Sequence, residues 1–487
     1  MTVLTKVINN YLYTRSLGDI DPEEIRSVDD ILDYIVENFE SDPVAGYGNN
    51  LWSYRQFSDM VKSLASSMIE NFPMKKGQRV LIILPPSYQL LLSYFALWRN
   101  GVSAIPLDVK TPLELIDKIA TSGKISGIIT YDSLFSHINR DETSNIYNIL
   151  TSSSEFRSII SKRNPDMDDY RIRGTRQRAV MEEMCYNEAK EGEHIDIFTD
   201  IAISEIQWKK DSSFTFLNYT FKKVISALKL TMDLFPMRKN QAFAVQKEPT
   251  SCPDVIEGLL IPILKGERII MVENFRENLE KIIMKNDPEE GIVLWLNMHG
   301  FKALREFRES AIEKISIILT NFQWNMDEVS FLGKKRSSLF SIMEYEGVSV
   351  PIISKQFIGD GPGQSNFISG GKEKSGVFKI PYMYICDKYE DEEEFYTIAN
   401  INIESMSARD IENESVYLHR GRSIPLNEMI KFFENQLHVK NCALLQDKDD
   451  WRIIDIILDK KTAIPTKINI NDEVPDLLLP LKIIKNN

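Results

Sequence analysis

Residues Ala96 to Pro112 read ALWRNGVSAIPLDVKTP, and the punctuation in this stretch decides the fold. A helical run halts at Gly101, the residue type that most readily takes a left-handed helix cap. A short apolar strand follows and ends on Pro106-Leu107-Asp108, and Thr111-Pro112 is poised to open another helix. Upstream, Val80 to Trp98 is a charge-free run of 19 residues, long enough on its own to span a membrane. Pro85-Pro86 divides it, however, into a β-branched strand and a helix starting near Pro86. The series predicted is strand Val80–Leu84, helix to Asn100, strand Val102–Leu107, helix Pro112–Thr121 and strand Ile125–Thr130. Strand-helix alternation with short connections specifies an α/β fold with a mostly parallel sheet. Asp108 then sits just past a strand's C-terminal end, where ligands of open α/β sheets bind.

The surrounding chain agrees. Val28, Ile31, Leu32, Ile35, Val36 and Phe39 share one helical face, and Ser53 and Gln56 have capping-box spacing ahead of a second amphipathic helix. Residues 136–196 are polar with weak periodicity, and one helix is expected around Arg176–Lys190. Alternation resumes at Ile201. The run DKYEDEEEF at 387–395 reads as a solvated acidic loop. After it comes a small α+β pattern: a helix at Leu426–Leu437 and strands at Asn441–Leu445 and Trp451–Leu458.

With 487 residues the chain calls for more than one core. The net charge of −13 argues against general nucleic-acid binding. Cys185, Cys252, Cys386 and Cys442 lie far apart without metal-ligand spacing, as expected of reduced thiols in a cytoplasmic protein. The five histidines form no zinc signature. The N-terminal stretch lacks the apolar core of a signal peptide. A soluble, cytoplasmic protein is expected, with neither a membrane nor a nucleic acid as partner.

The order of these pieces resembles the adenylate-forming enzymes: adenylation domains of nonribosomal peptide synthetases, acyl-CoA synthetases and luciferases. LWSYRQFSDMVKSLASSM resembles the family's opening Leu-Thr-Tyr-x-Glu-Leu motif. LWRNGVSAIPLDV resembles the next one, whose Pro-Leu-Asp ending is closest to the peptide-synthetase branch. HRGRSIPLNEMIKFFENQL resembles the Arg-Gly-x-x-Ile-x-x-x-Glu-Ile lid motif through Arg420, Gly421, Ile424 and Glu428. The resemblance implies a large N-terminal core of mostly parallel sheets with flanking helices (residues 1–409). A small C-terminal α+β lid (410–487) would rotate about a hinge at Asp410. It also implies ATP and Mg²⁺ acting on a small carboxylic or amino acid to give an acyl-adenylate. A carrier protein or synthetase is the implied partner, and secondary metabolism the implied setting.

The site residues are carried over one at a time. The family's Gly/Ser/Thr-rich phosphate loop falls on QWKKDSS (207–213), which has no glycine. Lys209 and Lys210 offer point charges there, or the segment is an ordinary solvated turn. SLFSIMEY resembles the Tyr-Gly-x-Thr-Glu motif, with Phe340 for Tyr, Ser341 for Gly and Met343 for Thr. Glu344 falls on the Mg²⁺-holding glutamate, or simply ends a strand. Asp387 is nearest to the ribose-binding aspartate, although one residue out of register, and otherwise reads as a surface carboxylate. Lys485, or Lys482, is the candidate for the catalytic lysine, or both are solvated. Asp254 stands either at the substrate amino group or as a helix cap. Three functions therefore stay open: an adenylating enzyme, a catalytically dead homologue acting as partner or scaffold, and a binder of acyl intermediates.

Overall fold

The computed structural model describes residues 25–47, 50–72, 74–135, 146–152, 155–156, 178–209, 213–234, 237, 240–272, 275–285, 291–320, 338–345, 348–356, 375–381, 395–402, 416–419, 422–437, 439, 442–446, 454–458 and 481–485. The chain begins with α1 (Val28–Phe39), β1 (Pro43–Tyr47), β2 (Asn50–Ser53) and α2 (Tyr54–Asn71). Next come β3 (Arg79–Ile83), α3 (Tyr88–Arg99), β4 (Ser103–Pro106), α4 (Leu113–Thr121), β5 (Gly127–Tyr131), β6 (Tyr147–Thr151) and β7 (Arg178–Val180). A hairpin, β8 (Ile201–Trp208) and β9 (Phe214–Thr220), leads into α5 (Phe221–Leu234). β10 (Ala242–Val245) precedes a helical segment over 252–264, and β11 (Arg268–Met271), α6 (Phe275–Lys285), β12 (Ile292–Leu296) and β13 (Ile315–Thr320) follow. The remainder is β14 (Ser338–Tyr345), β15 (Val348–Gln356), β16 (Ser375–Pro381), β17 (Phe395–Asn402), β18 (Val416–His419), β19 (Arg422–Pro425), α7 (Leu426–Leu437), β20 (Cys442–Gln446), β21 (Ile454–Leu458) and β22 (Leu481–Lys485).

Two large sheets organise these elements. The first has the order β7-β6-β5-β3-β4-β8-β9 and is parallel except for the β8–β9 hairpin. The second has the order β15-β14-β13-β12-β10-β11-β1-β2 and is parallel between its two antiparallel edge pairs. Among the described residues, strands β20, β21 and β22 pair with one another, and β18 pairs with β19.

The quoted stretch folds as its punctuation requires. Asn100 ends α3 and Gly101 follows at φ +62°. The Gly101 N–H donates to Trp98 O and the Val102 N–H to Leu97 O, the paired bonds of a Schellman cap. A Cβ on Gly101 would also come within 2.9 Å of Lys76 Cγ. The charge-free run is explained by burial: every residue of α3 is buried. Along β3, Val80 and Ile82 enter one core cluster while Leu81 and Ile83 enter another, so both sheet faces are covered and the strand has no polar alternation. The first of these clusters also takes in Leu259, Ile263, Phe243 and Val245, which joins the two sheets through shared helices.

At α2 the capping box forms as spaced, with Ser53 Oγ accepting from Gln56 N–H and Gln56 Oε1 from Ser53 N–H. The helix expected around Arg176–Lys190 does not form as such. Arg178–Val180 is strand β7, paired in parallel with β6, and only Met181–Met184 is helical. Pairing with the edge of β6 outweighs a weak helical pattern there. Among the described residues no helix is long and apolar enough to cross a membrane. Cys185, Cys252 and Cys442 are buried, and among the described residues none of them forms a disulfide. The acidic run at 387–394 lies outside the described residues.

Candidate active site

The C-terminal ends of the parallel strands converge on the connection after β10. The Glu248 carboxylate accepts from Val109 N–H at 2.9 Å, which ties this connection to the loop after β4 in the other sheet. In that loop Asp108 accepts from Lys110 N–H (2.8 Å) and is buried. Gln246 bridges to β12, taking the Asn297 N–H on its side chain and giving its own N–H to Trp295 O, both at 3.0 Å. From β8, Glu205 accepts the Cys252 N–H at 2.6 Å. From α3, the Tyr94 hydroxyl donates to Pro249 O at 3.2 Å. Burial holds that hydroxyl's pKa well above the usual range, with the nearby Asp254, Cys252 and Glu205 adding to it.

Asp254 lies in the middle of this arrangement, and it is not the helix cap. Ser251 is the N-cap, its hydroxyl accepting the Asp254 N–H at 3.3 Å. The Asp254 carboxylate is instead ion-paired: Oδ1 takes the Lys247 ammonium and Oδ2 the Thr250 N–H at 3.1 Å. The side chains of both partners are buried, 4% and 0% exposed respectively. Lys247 Nζ also lies 4.9 Å above the Trp295 ring. Trp295 is fully buried, and Gly258 is required opposite it because a Cβ there would meet the ring at 2.4 Å. A charge pair persists at this depth only because each partner neutralises the other.

The phosphate-loop position differs in kind. β8 and β9 pair up to Trp208↔Phe214, so the chain turns within 209–213, and the Lys209 N–H donates to Ser213 O at 2.7 Å. A backbone donor that a phosphate cradle would turn to its ligand is thereby spent inside the turn. Aromatic contacts clamp the hairpin: Trp208 to Phe214 at 5.3 Å and Phe214 to Phe216 at 5.5 Å between ring centroids. Cations cover the rings. Lys124 Nζ lies 4.6 Å from Phe214 and gives a hydrogen bond to its carbonyl, Arg79 is 4.7 Å from Phe216, and Lys118 is 5.6 Å from Trp208. A segment without glycine, whose Lys209 N–H is already given to Ser213 O, does not fit a glycine-rich triphosphate cradle.

The other candidates are placed as follows. Lys209 is exposed at the end of β8, and Lys210 lies outside the described residues, as do Asp387 and Asp410. Glu344 is the penultimate residue of β14, in register with Ser349 of β15. Lys482 and Lys485 are both in β22, opposite Asp455 and Leu458, at positions of opposite parity along the strand. Among the described residues no group of three or more His, Cys, Asp and Glu side chains is arranged to hold a metal.

A second polar locus escaped the sequence reading. Glu155, beyond the end of β6, is 6% exposed and accepts from the Thr151 hydroxyl at 2.7 Å. Burial pushes its pKa up to about 8, against the Thr151 hydrogen bond and with help from Glu182 and Asp132. Phe156 beside it sits at φ +60° and packs against Trp52 and Tyr88.

Residues 33–220 match the model of a family described as AMP-binding enzyme. Solved structures extend the likeness to nearly the whole chain. An artificially fused adenylation–PCP di-domain NRPS from Klebsiella oxytoca superposes with a TM-score of 0.59, 10% identity and 94% of each chain covered. The anthranilate CoA ligase AuaEII in complex with anthranoyl-AMP gives 0.58 and 8% identity, over 96% of this chain and 95% of the other. Coronafacic acid ligase from Pectobacterium brasiliense gives 0.55 and 15%, over 95% of each chain. The fold is the one that these adenylation and ligase structures share. A hybrid PKS-NRPS synthetase of Macrophomina phaseolina is 31% identical over 93 residues, which are 19% of this chain and 2% of that one. The chain thus spans a small fraction of the curated relatives it matches. The fold class expected from sequence is the one observed, with flanked, mostly parallel sheets.

Proposed function

We propose that the chain is an adenylation-domain-like protein that activates a small carboxylic acid with ATP, forming an acyl-adenylate and pyrophosphate. The supporting observation is that the family match runs through residue 220, across the whole β8–turn–β9 unit and not only the structural strands before it. In this reading Lys209 and Lys210 attract the triphosphate as point charges in place of a backbone cradle, which gives a weak grip on ATP. Glu344 serves the metal-facing role and Lys485 the reacting centre. Residues 410–487 act as a lid on a core of 1–409, with the hinge at Asp410. Asp387 faces the ribose. The acyl group passes to a carrier-protein thiol, a proposal in keeping with the fused carrier domain of the Klebsiella neighbour. ATP–pyrophosphate exchange over a panel of acids tests the reading. Exchange is expected with at least one acid, and Glu344→Gln and Lys485→Ala should each lower it by roughly two orders of magnitude.

The glycine-free connection of this hairpin favours a second reading, in which the fold binds an acyl-adenylate or acyl partner without making it. An absence of exchange with every acid, together with retained binding of an acyl-adenylate analogue, would establish that reading instead.

A further inference from the structure

We propose that Glu155 is a proton-operated latch: its neutral carboxyl holds Arg178–Tyr186 on the edge of the first sheet, and loss of the proton lets that segment lift and expose Cys185. The latch is independent of acid activation. Glu155 lies beyond the end of β6 and is buried. Its Oε2 accepts from the Thr151 hydroxyl, while Oε1 is sealed from solvent and has no hydrogen-bond partner among the described residues. The carboxylates of Asp132, from the short helix Asp132–Phe135, and of Glu182 act on it, and the Cys185 thiol lies near both glutamates. Tyr88 of α3 and Tyr186 stand beside that thiol. None of these groups is a cation. A charge on Glu155 is opposed first by burial and then by like charge, and the Thr151 hydroxyl and Glu182 N–H do not offset them.

What covers this carboxyl is a thin edge. β7 pairs with β6 over three residues and borders no other strand among the described residues. Beyond it Met181, Met184 and Cys185 are buried, and the Ser67 hydroxyl of α2 donates to Met184 O at 2.9 Å. Short edge segments open at a lower free energy than a sheet's centre. An ionised Glu155 repels Glu182 and needs water, and lifting residues 178–186 supplies both distance and water. In the lifted form the carboxyl returns toward its ordinary value of 4.5, so opening is favoured as pH rises from there toward about 8 and levels off above it.

The experiment labels the full chain under native conditions with iodoacetamide between pH 6 and pH 9, and reads Cys185 and Cys252 separately by peptide mass spectrometry, for the wild type and Glu155→Gln. Dividing each rate by that of the urea-unfolded chain at the same pH removes the ionisation of the thiols themselves. In the wild type the corrected rate at Cys185 should climb roughly 100-fold from pH 6 to pH 8 and then level off, as one linked proton allows. Cys252, buried in the helical segment over 252–264, should change less than about threefold, as should Cys185 in Glu155→Gln. A flat Cys185 profile in the wild type overturns the latch, as does an equal climb in folded Glu155→Gln. Cys252 climbing in step with Cys185 also overturns it, because the whole chain and not the edge then loosens. The wild-type comparison of the two thiols needs no variant, so a Glu155→Gln chain that fails to fold does not shield the proposal.

Discussion

The crossover at 79–131 and the turn at 209–213 belong to one sheet, yet they relate to the adenylate-forming pattern in opposite ways. In the crossover the local sequence and the family pattern agree, and the structure follows both, down to the paired bonds at Gly101. At 209–213 the strands on either side pair as a hairpin, and the sequence between them carries no glycine. A glycine-rich loop presents backbone N–H groups to a ligand, whereas here the Lys209 N–H goes to Ser213 O and the hairpin is clamped by Trp208, Phe214, Lys124 and Lys118. The difference shows that a scaffold and the ligand grip mounted on it are specified separately. Burial holds the first, and a few backbone donors supply the second.

If the first sheet is a rigid scaffold, its buried polar groups carry large energies. Glu155 stays protonated in the folded chain up to about pH 8, whereas its ordinary value is 4.5. Unfolding therefore releases a proton between those values, and stability falls as pH rises through that window, by roughly 5 kcal/mol in all. Glu155→Gln should remove this slope and leave the variant the more stable above pH 8. Urea denaturation at a series of pH values checks it, and an unchanged slope would place the pH dependence elsewhere.

Next in size is the hairpin clamp. Phe214 is buried under Lys124, and Phe214→Ala should cost about 3–5 kcal/mol of stability, as for a core aromatic. A loss below about 1 kcal/mol would mean that the turn is an ordinary surface loop, and the contrast with the crossover would collapse. Smaller still, Gly101→Ala should cost about 1–2 kcal/mol, because a Cβ is strained at positive φ and meets Lys76. Thermal denaturation of the two variants side by side ranks the regions directly.

What was legible in the sequence was local. Ser53 and Gln56, Pro85-Pro86, Gly101 and the 426–437 helix were readable because caps, breakers and helical periodicity act within a few residues. Arg178–Val180 misled because pairing with β6 is a tertiary event. The Lys247–Asp254 pair gave no spacing signal: it depends on a turn between a strand end and a helix, and a lone lysine ordinarily reads as solvated. Glu155 was missed for the same reason, since its altered chemistry comes from burial. The hairpin clamp joins Lys118 and Lys124 to rings some ninety residues away, and no motif records such contacts.

Acid activation without a glycine-rich triphosphate cradle should leave its mark on the MgATP dependence of ATP–pyrophosphate exchange. The measurement is made beside an adenylation domain with an intact glycine-rich loop, and again on the Lys209→Ala/Lys210→Ala double variant. Exchange should saturate at roughly tenfold or more higher MgATP than in the intact-loop domain, and weaken further in the double variant, because point charges replace backbone donors. Tight saturation indifferent to both lysines, or no exchange with any acid at any MgATP concentration, would contradict it.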